Sequence, residues 1–372
     1  MIPQTSPAAG YAKNKEHIDA AVARVMDSGW YILGKEVENF EKAFARYVEV
    51  AAGVGVASGT DAIEVALRAC DIGPGDLVFT VSHTAVATVA GIQRSGANVA
   101  LVDIDPDTYS MSPDQLDQTI RSAADGGHGR PAAIVPVHLY GQPADMPRIL
   151  EIANRHGLTV VEDAAQAHGS ALQGRQTGSW GRAAAFSFYP TKNLAAFGDG
   201  GMVLTDDPKI AARVRQLREY GWRDRFVSAA PGLNSRLDEL QAAILNVRLE
   251  TLDEDNALRR QIALTYDEAL SESPLVTPCV RESAEHVYHQ YVVRSERRDE
   301  LRDYLSQCDI GTAIHYPVAI HQQPAYQNRF LGSDRLPQTE DAADKILSLP
   351  MYPQLEQDQQ DQVIQAIQSW CN

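Results

Sequence analysis

The sequence predicts an α/β protein: a large domain on a mostly parallel seven-stranded sheet flanked by helices, then a smaller α+β C-terminal domain. Three observations carry that reading. From about residue 51, short apolar runs rich in Val, Ile and Ala alternate with stretches of helical spacing, as expected of strands buried on both faces beneath covering helices. Two further runs, 183–190 and 200–205, break the rhythm, because only a glycine-rich connection joins them. Towards the C-terminus strand-like and helical patterns mix. The expected division is 1–255 and 256–372, with residues 1–30 packing on the smaller domain.

In chain order the expected strands are AAGVGVAS (51–58), DLVFTVS (76–82), NVALVDI (98–104), AAIVPVHLYG (132–141), LTVVEDAA (158–165), AAAFSFYP (183–190) and GGMVLT (200–205). Their near-continuous hydrophobicity suits a sheet covered on both sides. Helical spacing appears in DAIEVALRAC after Thr60, in PADMPRILEIANRHG before Leu158, and from Pro208 to Tyr220. An irregular stretch, GWRDRFVSAAPGLNSR, precedes a long helical region from Asp238 to Leu270, with a bend expected between Glu250 and Asn256. VYHQYVV (287–293) reads as a strand and ERRDELRDYLSQ (296–307) as a helix.

Composition excludes several function classes. The 372 residues are 44% hydrophobic and 22% charged, ordinary for a soluble chain large enough for more than one core. No apolar run approaches the roughly 20 residues that span a bilayer, and the start, MIPQTSPAAGYAKNKEH, lacks the layout of a secretory signal. A cytoplasmic protein without membrane partners is expected. Cys70, Cys279, Cys308 and Cys371 are scattered without a CxxC pair, which argues against zinc or a disulfide framework. A formal net charge of −16 works against nucleic-acid binding but is compatible with an anionic ligand in a local pocket.

Three segments stand out as candidate sites. Gly53-x-Gly55-x-x-x-Gly59 follows a strand but has the wrong spacing for a dinucleotide fingerprint. What remains is strand, Ser58-Gly59-Thr60-Asp61, helix, with Thr60 as the expected N-cap: an anion site at a helix N-terminus, or a plain cap. Asp163 ends the run VVEDAAQ, at the carboxyl end of a central strand where open sheets place ligand contacts. Burying an acid there requires a cationic partner, and the alternative is a helix-capping role. Lys192 lies in FSFYPTKN, ahead of Gly198-Asp199-Gly200-Gly201. Schiff-base chemistry needs such a lysine with its free amine accessible; the alternative is a solvated lysine. His286 and His289, three apart in an expected strand, would face opposite sides and cannot chelate together. His315-Tyr316-Pro317 and His321 read as loop residues.

Taken together, these stretches resemble the sugar-nucleotide aminotransferase family of fold-type-I pyridoxal-phosphate (PLP) enzymes, the DegT/DnrJ/EryC1/StrS group. The matching pieces run from GWYILG (29–34) through SGTDAIEVAL, PVHLYGQPADM, VVEDAAQAHGS, FSFYPTKNLAAFGDGG and NSRLDELQAA to His315-Tyr316-Pro317. The resemblance implies that Lys192 holds PLP as a Schiff base and shuttles the proton. It implies that Asp163 keeps the pyridine nitrogen protonated, that Gln166 meets the ring hydroxyl, and that Gly59, Thr60 and Ser187 hold the phosphate. Asn234 matches an asparagine reaching the phosphate from the neighbouring subunit, which implies a homodimer with a shared site. Tyr31, Arg236, His315 and Tyr316 match positions near the sugar nucleotide. The implied reaction takes an amino group from L-glutamate, leaves pyridoxamine phosphate, and passes the amino group to a keto sugar. One departure stands out: Ala85 occupies a position that is commonly aromatic in relatives, so His83, or another side chain, would cover the ring. Tyr189-Pro190 and the Gly-Asp-Gly-Gly ending resemble members that aminate C-3, favouring a dTDP-linked 3-keto-6-deoxy sugar. The alternatives are a C-4 keto sugar, a keto-cyclitol or a non-catalytic regulatory paralogue. Relatives that act as sugar 3-dehydratases carry histidine where Lys192 stands.

Overall fold

The computed structural model describes residues 1–123 and 127–371. Among these, seven strands form the central sheet: β1 (Ala52–Val56), β2 (Asp76–Val81), β3 (Asn98–Val102), β4 (Arg130–Ile134), β5 (Thr159–Asp163), β6 (Ala183–Ser187) and β7 (Gly201–Thr205). Their spatial order is β1-β7-β6-β5-β4-β2-β3. From β6 to β3 all neighbours are parallel, whereas β7 runs antiparallel to both β6 and β1. The 188–200 connection contains no helix, whereas a parallel return usually crosses over through one.

Strand interiors are buried on both faces, all six residues of β2 among them. One apolar cluster, including Val65, Val78 and Val203, lies under helix Gly59–Ala69. A second, including Phe79, Ile149 and Val160, lies under helix Met146–His156. That helix is delimited as its residues suggest: Asp145 accepts from the Arg148 N–H at the start, and Gly157 closes it at φ 67°. The long helical region breaks at Glu250–Thr251 into Glu239–Leu249 and Leu252–Leu270, within the expected bend.

A further cluster gathers Tyr266, Tyr291, Leu301, Leu347 and Ile367, and Ile2 joins it. There β8 (Tyr291–Arg294) pairs antiparallel with β9 (Ile346–Leu349). Ile2 is tied to this region by hydrogen bonds to Asp309 and Gly311, while helix Lys15–Ser28 packs on Glu239–Leu249 instead. The N-terminal 30 residues therefore divide between two surroundings.

The expected strand 287–293 is a correction. Only Tyr291–Arg294 is strand; Val287 and Gln290 donate backbone hydrogen bonds to Gly141 and Tyr140, and Tyr288 takes φ 43°. Packing against the Leu139–Gly141 turn overrides the β-branched and aromatic pattern. The alternation argument for His286 and His289 lapses with it.

Candidate active site

β5, β6 and the start of helix Gly59–Ala69 converge on a cavity of about 410 Å³. A larger surface groove of about 830 Å³ lies along Arg24, Trp30, Glu36 and Glu239, but it contains none of the three candidate segments. Chemistry therefore favours the smaller cavity.

The helix start is built for an anion. Ser58, not Thr60 as expected, is the N-cap: its Oγ accepts from the Asp61 N–H at 3.1 Å. Gly59 and Thr60 become the first two helical residues, and their N–H groups are left without intrahelical partners. A Cβ on Gly59 would lie 2.6 Å from Ser187 Cβ, so only glycine lets β6 approach the helix start this closely. The other glycines of the run serve packing: a Cβ on Gly53 would meet Met202 Sδ at 2.8 Å, and one on Gly55 would meet Leu237 Cβ at 2.9 Å.

Asp163 ends β5 inside the cavity, and its exposure is 4%. One carboxylate oxygen accepts from Thr88 Oγ1 at 2.7 Å and the other from the Ala165 N–H at 3.2 Å. Burial pushes its pKa upward, opposed by these two donors and by Lys192. No cation pairs with it at ion-pair distance among the described residues, so the cavity holds a carboxylate that a bound cationic group would stabilise.

Lys192 follows the turn Tyr189–Lys192, closed by its own N–H to the Tyr189 carbonyl at 2.9 Å. Next to it the Asn193 amide donates to Asn256 Oδ1 and to the Val287 carbonyl, pinning the turn. The Lys192 amine makes no hydrogen bond among the described residues. Burial lowers its pKa to about 8, with Asp163 opposing, so free amine is available near neutral pH.

Gln166 is held at both ends: its Oε1 accepts from the Tyr140 N–H at 2.7 Å and its Nε2 donates to the Tyr316 hydroxyl at 3.1 Å. His315 and Tyr316 line the same cavity, with His315 Nδ1 2.8 Å from Ser348 Oγ. His83 is a correction. It is 1% exposed, is not part of the cavity wall, and its Nε2 lies 2.8 Å from the Tyr140 hydroxyl; Thr84 and Ala85 line the cavity instead. Tyr31, Asn234 and Arg236 are not brought to this cavity either. They belong to the joined segments 31–32 and 234–239, linked by the Ile32–Asp238 bridge and by the Glu239 N–H to the Tyr31 carbonyl. Residues that sequence reasoning missed include His289 and Gln290, both 4% exposed and on the cavity wall. Their signal was hidden by the mistaken strand.

The cavity suits pyridoxal phosphate: N–H groups and a hydroxyl for the phosphate, a buried carboxylate for the pyridine nitrogen, and an unpaired lysine amine. Together with the sheet order, this defines a fold-type-I PLP enzyme. The particular family follows from comparison: the DegT/DnrJ/EryC1/StrS aminotransferase family matches residues 12–368, and the chain belongs to it. It is 45% identical to a dTDP-3-amino-3,4,6-trideoxy-alpha-D-glucose transaminase of Streptomyces venezuelae, over 100% of this chain and 96% of that protein. It is 42% identical to a pleiotropic regulatory protein of Geobacillus stearothermophilus, over 98% and 97%. The crystal structure of S. venezuelae DesV in complex with a ketimine intermediate superposes with TM-score 0.95 at 45% identity, covering 100% of this chain and 98% of DesV. The protein is a PLP-dependent aminotransferase. Among the described residues no helix is long and apolar enough to cross a membrane, and no His, Cys, Asp and Glu cluster could hold a metal ion.

Proposed function

We propose that this enzyme transfers an amino group from L-glutamate to the C-3 keto group of a dTDP-linked 6-deoxy sugar. The carrying observation is the placement of the unpaired Lys192 amine in one cavity with buried Asp163 and the Gly59–Ser187 cradle. When bound, pyridoxal phosphate supplies an electron sink for exchange of the amino group and the Cα proton. The N–H groups of Gly59 and Thr60 and the Ser187 hydroxyl hold the phosphate. Asp163 keeps the pyridine nitrogen protonated, and Gln166 Nε2 reaches the ring hydroxyl. Lys192 anchors the cofactor, then carries a proton to and from the substrate carbon as general acid and base. His315 and Tyr316 receive the sugar nucleotide.

Asn234, Tyr31 and Arg236 complete the site of a partner subunit in a homodimer. Their separation from the cavity of their own chain supports this, as does apolar surface near them, with Trp30 63% and Tyr220 42% exposed. C-3 regiochemistry is supported by Tyr189-Pro190, by the Gly-Asp-Gly-Gly ending, and by the name of the Streptomyces relative. The name of the Geobacillus relative favours a second reading, regulation without turnover; the complete lysine and aspartate machinery weighs against it.

The test is a single-turnover assay. The PLP-loaded protein is converted with L-glutamate, then offered 3-keto and 4-keto sugar nucleotides separately, and recovery of the original cofactor absorbance is followed. Recovery with the 3-keto acceptor supports the reading, and recovery only with the 4-keto acceptor moves the chemistry to C-4. A cofactor spectrum that no amino acid changes would overturn the transaminase assignment and revive the regulatory one.

A further inference from the structure

The roles above leave part of the cavity wall unused. His289 and Gln290, both 4% exposed, line the cavity from the segment that crosses the Leu139–Gly141 turn. Neither ring nitrogen of His289 has a hydrogen-bond partner among the described residues, and because Nδ1 is shut off from solvent, Nε2 is the atom left to meet a ligand. Burial, and after it the nearby Lys192 and Arg259, keep the His289 imidazole neutral. Arg259 is itself buried, and its guanidinium is held by the carbonyls of Tyr288 and Met351. A neutral imidazole that can donate a hydrogen bond, with the cationic Lys192 and Arg259 nearby, is a place for an anion.

Gln290 adds oriented donors. Gln4 Nε2 donates to Gln290 Oε1 at 2.5 Å and lies 3.4 Å from the Leu349 carbonyl. The carbonyl acceptor fixes which end of Gln4 is the amide nitrogen, and this in turn makes the atom of Gln290 facing it the oxygen. The Gln290 NH2 group is left without a partner among the described residues. No arginine of this chain lines the cavity among the described residues, so the donors this chain itself offers a carboxylate are imidazole and amide groups.

We propose that His289 and Gln290 form the subsite for the α-carboxylate of the amino-acid donor, both side chains donating hydrogen bonds to its oxygens. The assignment rests on the aminotransferase reading of the cavity. It places the donor's Cα, one bond from that carboxylate, beside the Lys192 amine. The acceptor sugar has no carboxylate at the corresponding carbon, so the pair serves the first half-reaction selectively.

The test uses PLP-loaded wild type, His289→Leu, His289→Gln and Gln290→Leu. The half-reaction with L-glutamate is followed under single-turnover conditions, and maleate binding to each holoenzyme is measured by calorimetry. His289→Leu and Gln290→Leu are expected to raise half-saturating glutamate about tenfold or more, with limiting rates within about threefold of wild type. His289→Gln, which keeps an N–H donor, should recover part of the loss. Maleate binding should weaken in parallel, while half-saturation by the keto sugar should stay unchanged. An equal rise for the keto sugar, a lost limiting rate with unchanged half-saturation, or unaltered glutamate and maleate binding would each overturn the subsite. If wild type converts no amino acid, the aminotransferase reading fails by itself, and the maleate measurement still decides whether this wall binds a carboxylate.

Discussion

Glu162 and Asp163 are consecutive on β5 and point to opposite sides of the sheet, so one strand end carries two buried carboxylates with different tasks. Glu162, 0% exposed, accepts from the N–H groups of Gly178, Trp180 and Gly181 at 2.7–2.8 Å, with His138 Nε2 at 2.9 Å. Asp163 meets Thr88 and the Ala165 N–H and opens into the cavity. The first organises the 178–181 loop, and the second waits for a cation.

Glu162→Gln should therefore be a stability mutation. An amide in place of the carboxylate turns an NH2 group towards backbone donors and leaves buried N–H groups unsatisfied, at about 1–3 kcal/mol each. The melting temperature of the apoprotein should fall by several degrees, while PLP still binds.

Asp163→Asn should do the reverse. Burial raises the pKa of Asp163, so the folded apoprotein holds its proton more tightly than the unfolded chain does. Its ionisation therefore weakens the fold as pH rises through the folded pKa. Asparagine removes that cost, and the apoprotein should melt no lower than wild type at neutral pH. Turnover should nevertheless drop by about a hundredfold or more, because the pyridine nitrogen loses its charged partner.

The Lys192 amine is displaced downward to about 8. The unprotonated fraction grows as pH rises through that value. Stopped-flow mixing of apoprotein with pyridoxal phosphate should show a covalent capture rate that climbs with pH and levels above about 8. Lys192→Ala should abolish capture and reduce amino transfer by on the order of a thousandfold.

Gly59→Ala introduces a methyl 2.6 Å from Ser187 Cβ. Relieving that clash means moving the helix start away from β6, with overpacking costs of about 1–3 kcal/mol. Retention of PLP on dialysis should fall, with the dissociation constant rising about tenfold, while the bound cofactor still reacts with L-glutamate.

His83 is buried against the Tyr140 hydroxyl and does not line the cavity. His83→Phe should leave the cofactor's absorbance and affinity unchanged within about twofold. The melting temperature should drop instead, because the Tyr140 hydroxyl loses a buried partner, a loss of about 1–3 kcal/mol.

Much of the sheet was legible because strands buried on both faces are written as continuous apolar runs: six of the seven strands fall within the expected segments, and β4 (Arg130–Ile134) overlaps only the start of the expected 132–141. Lys192 and Asp163 stood out locally, a lysine in a Pro- and Gly-rich stretch and an acid at a strand end, each with an alternative left open, whereas Ser187 was indicated by the family resemblance alone. His289 and Gln290 were not legible. Their segment carries a β-like pattern, yet it is spent on hydrogen bonds to the Leu139–Gly141 turn, which lies well over a hundred residues earlier. His83 was misplaced for a related reason, since the nearest candidate in sequence to cover a ring is turned inward by a tyrosine from another segment.

By itself the sequence determined the fold class, the order of the strands along the chain and the family, because hydrophobic period, glycine placement and motif spacing are local properties. Tertiary structure alone decided which residues face one another. Ser58, rather than Thr60, caps the helix, because the strand delivers its hydroxyl to the first turn. The carboxylates of Glu162 and Asp163 are parted by the pleat, and the pKa of the Lys192 amine is lowered to about 8 by its burial among segments that are distant in the chain. Direction, burial and the electrostatics they create depend on the whole packed molecule, and no local pattern encodes them.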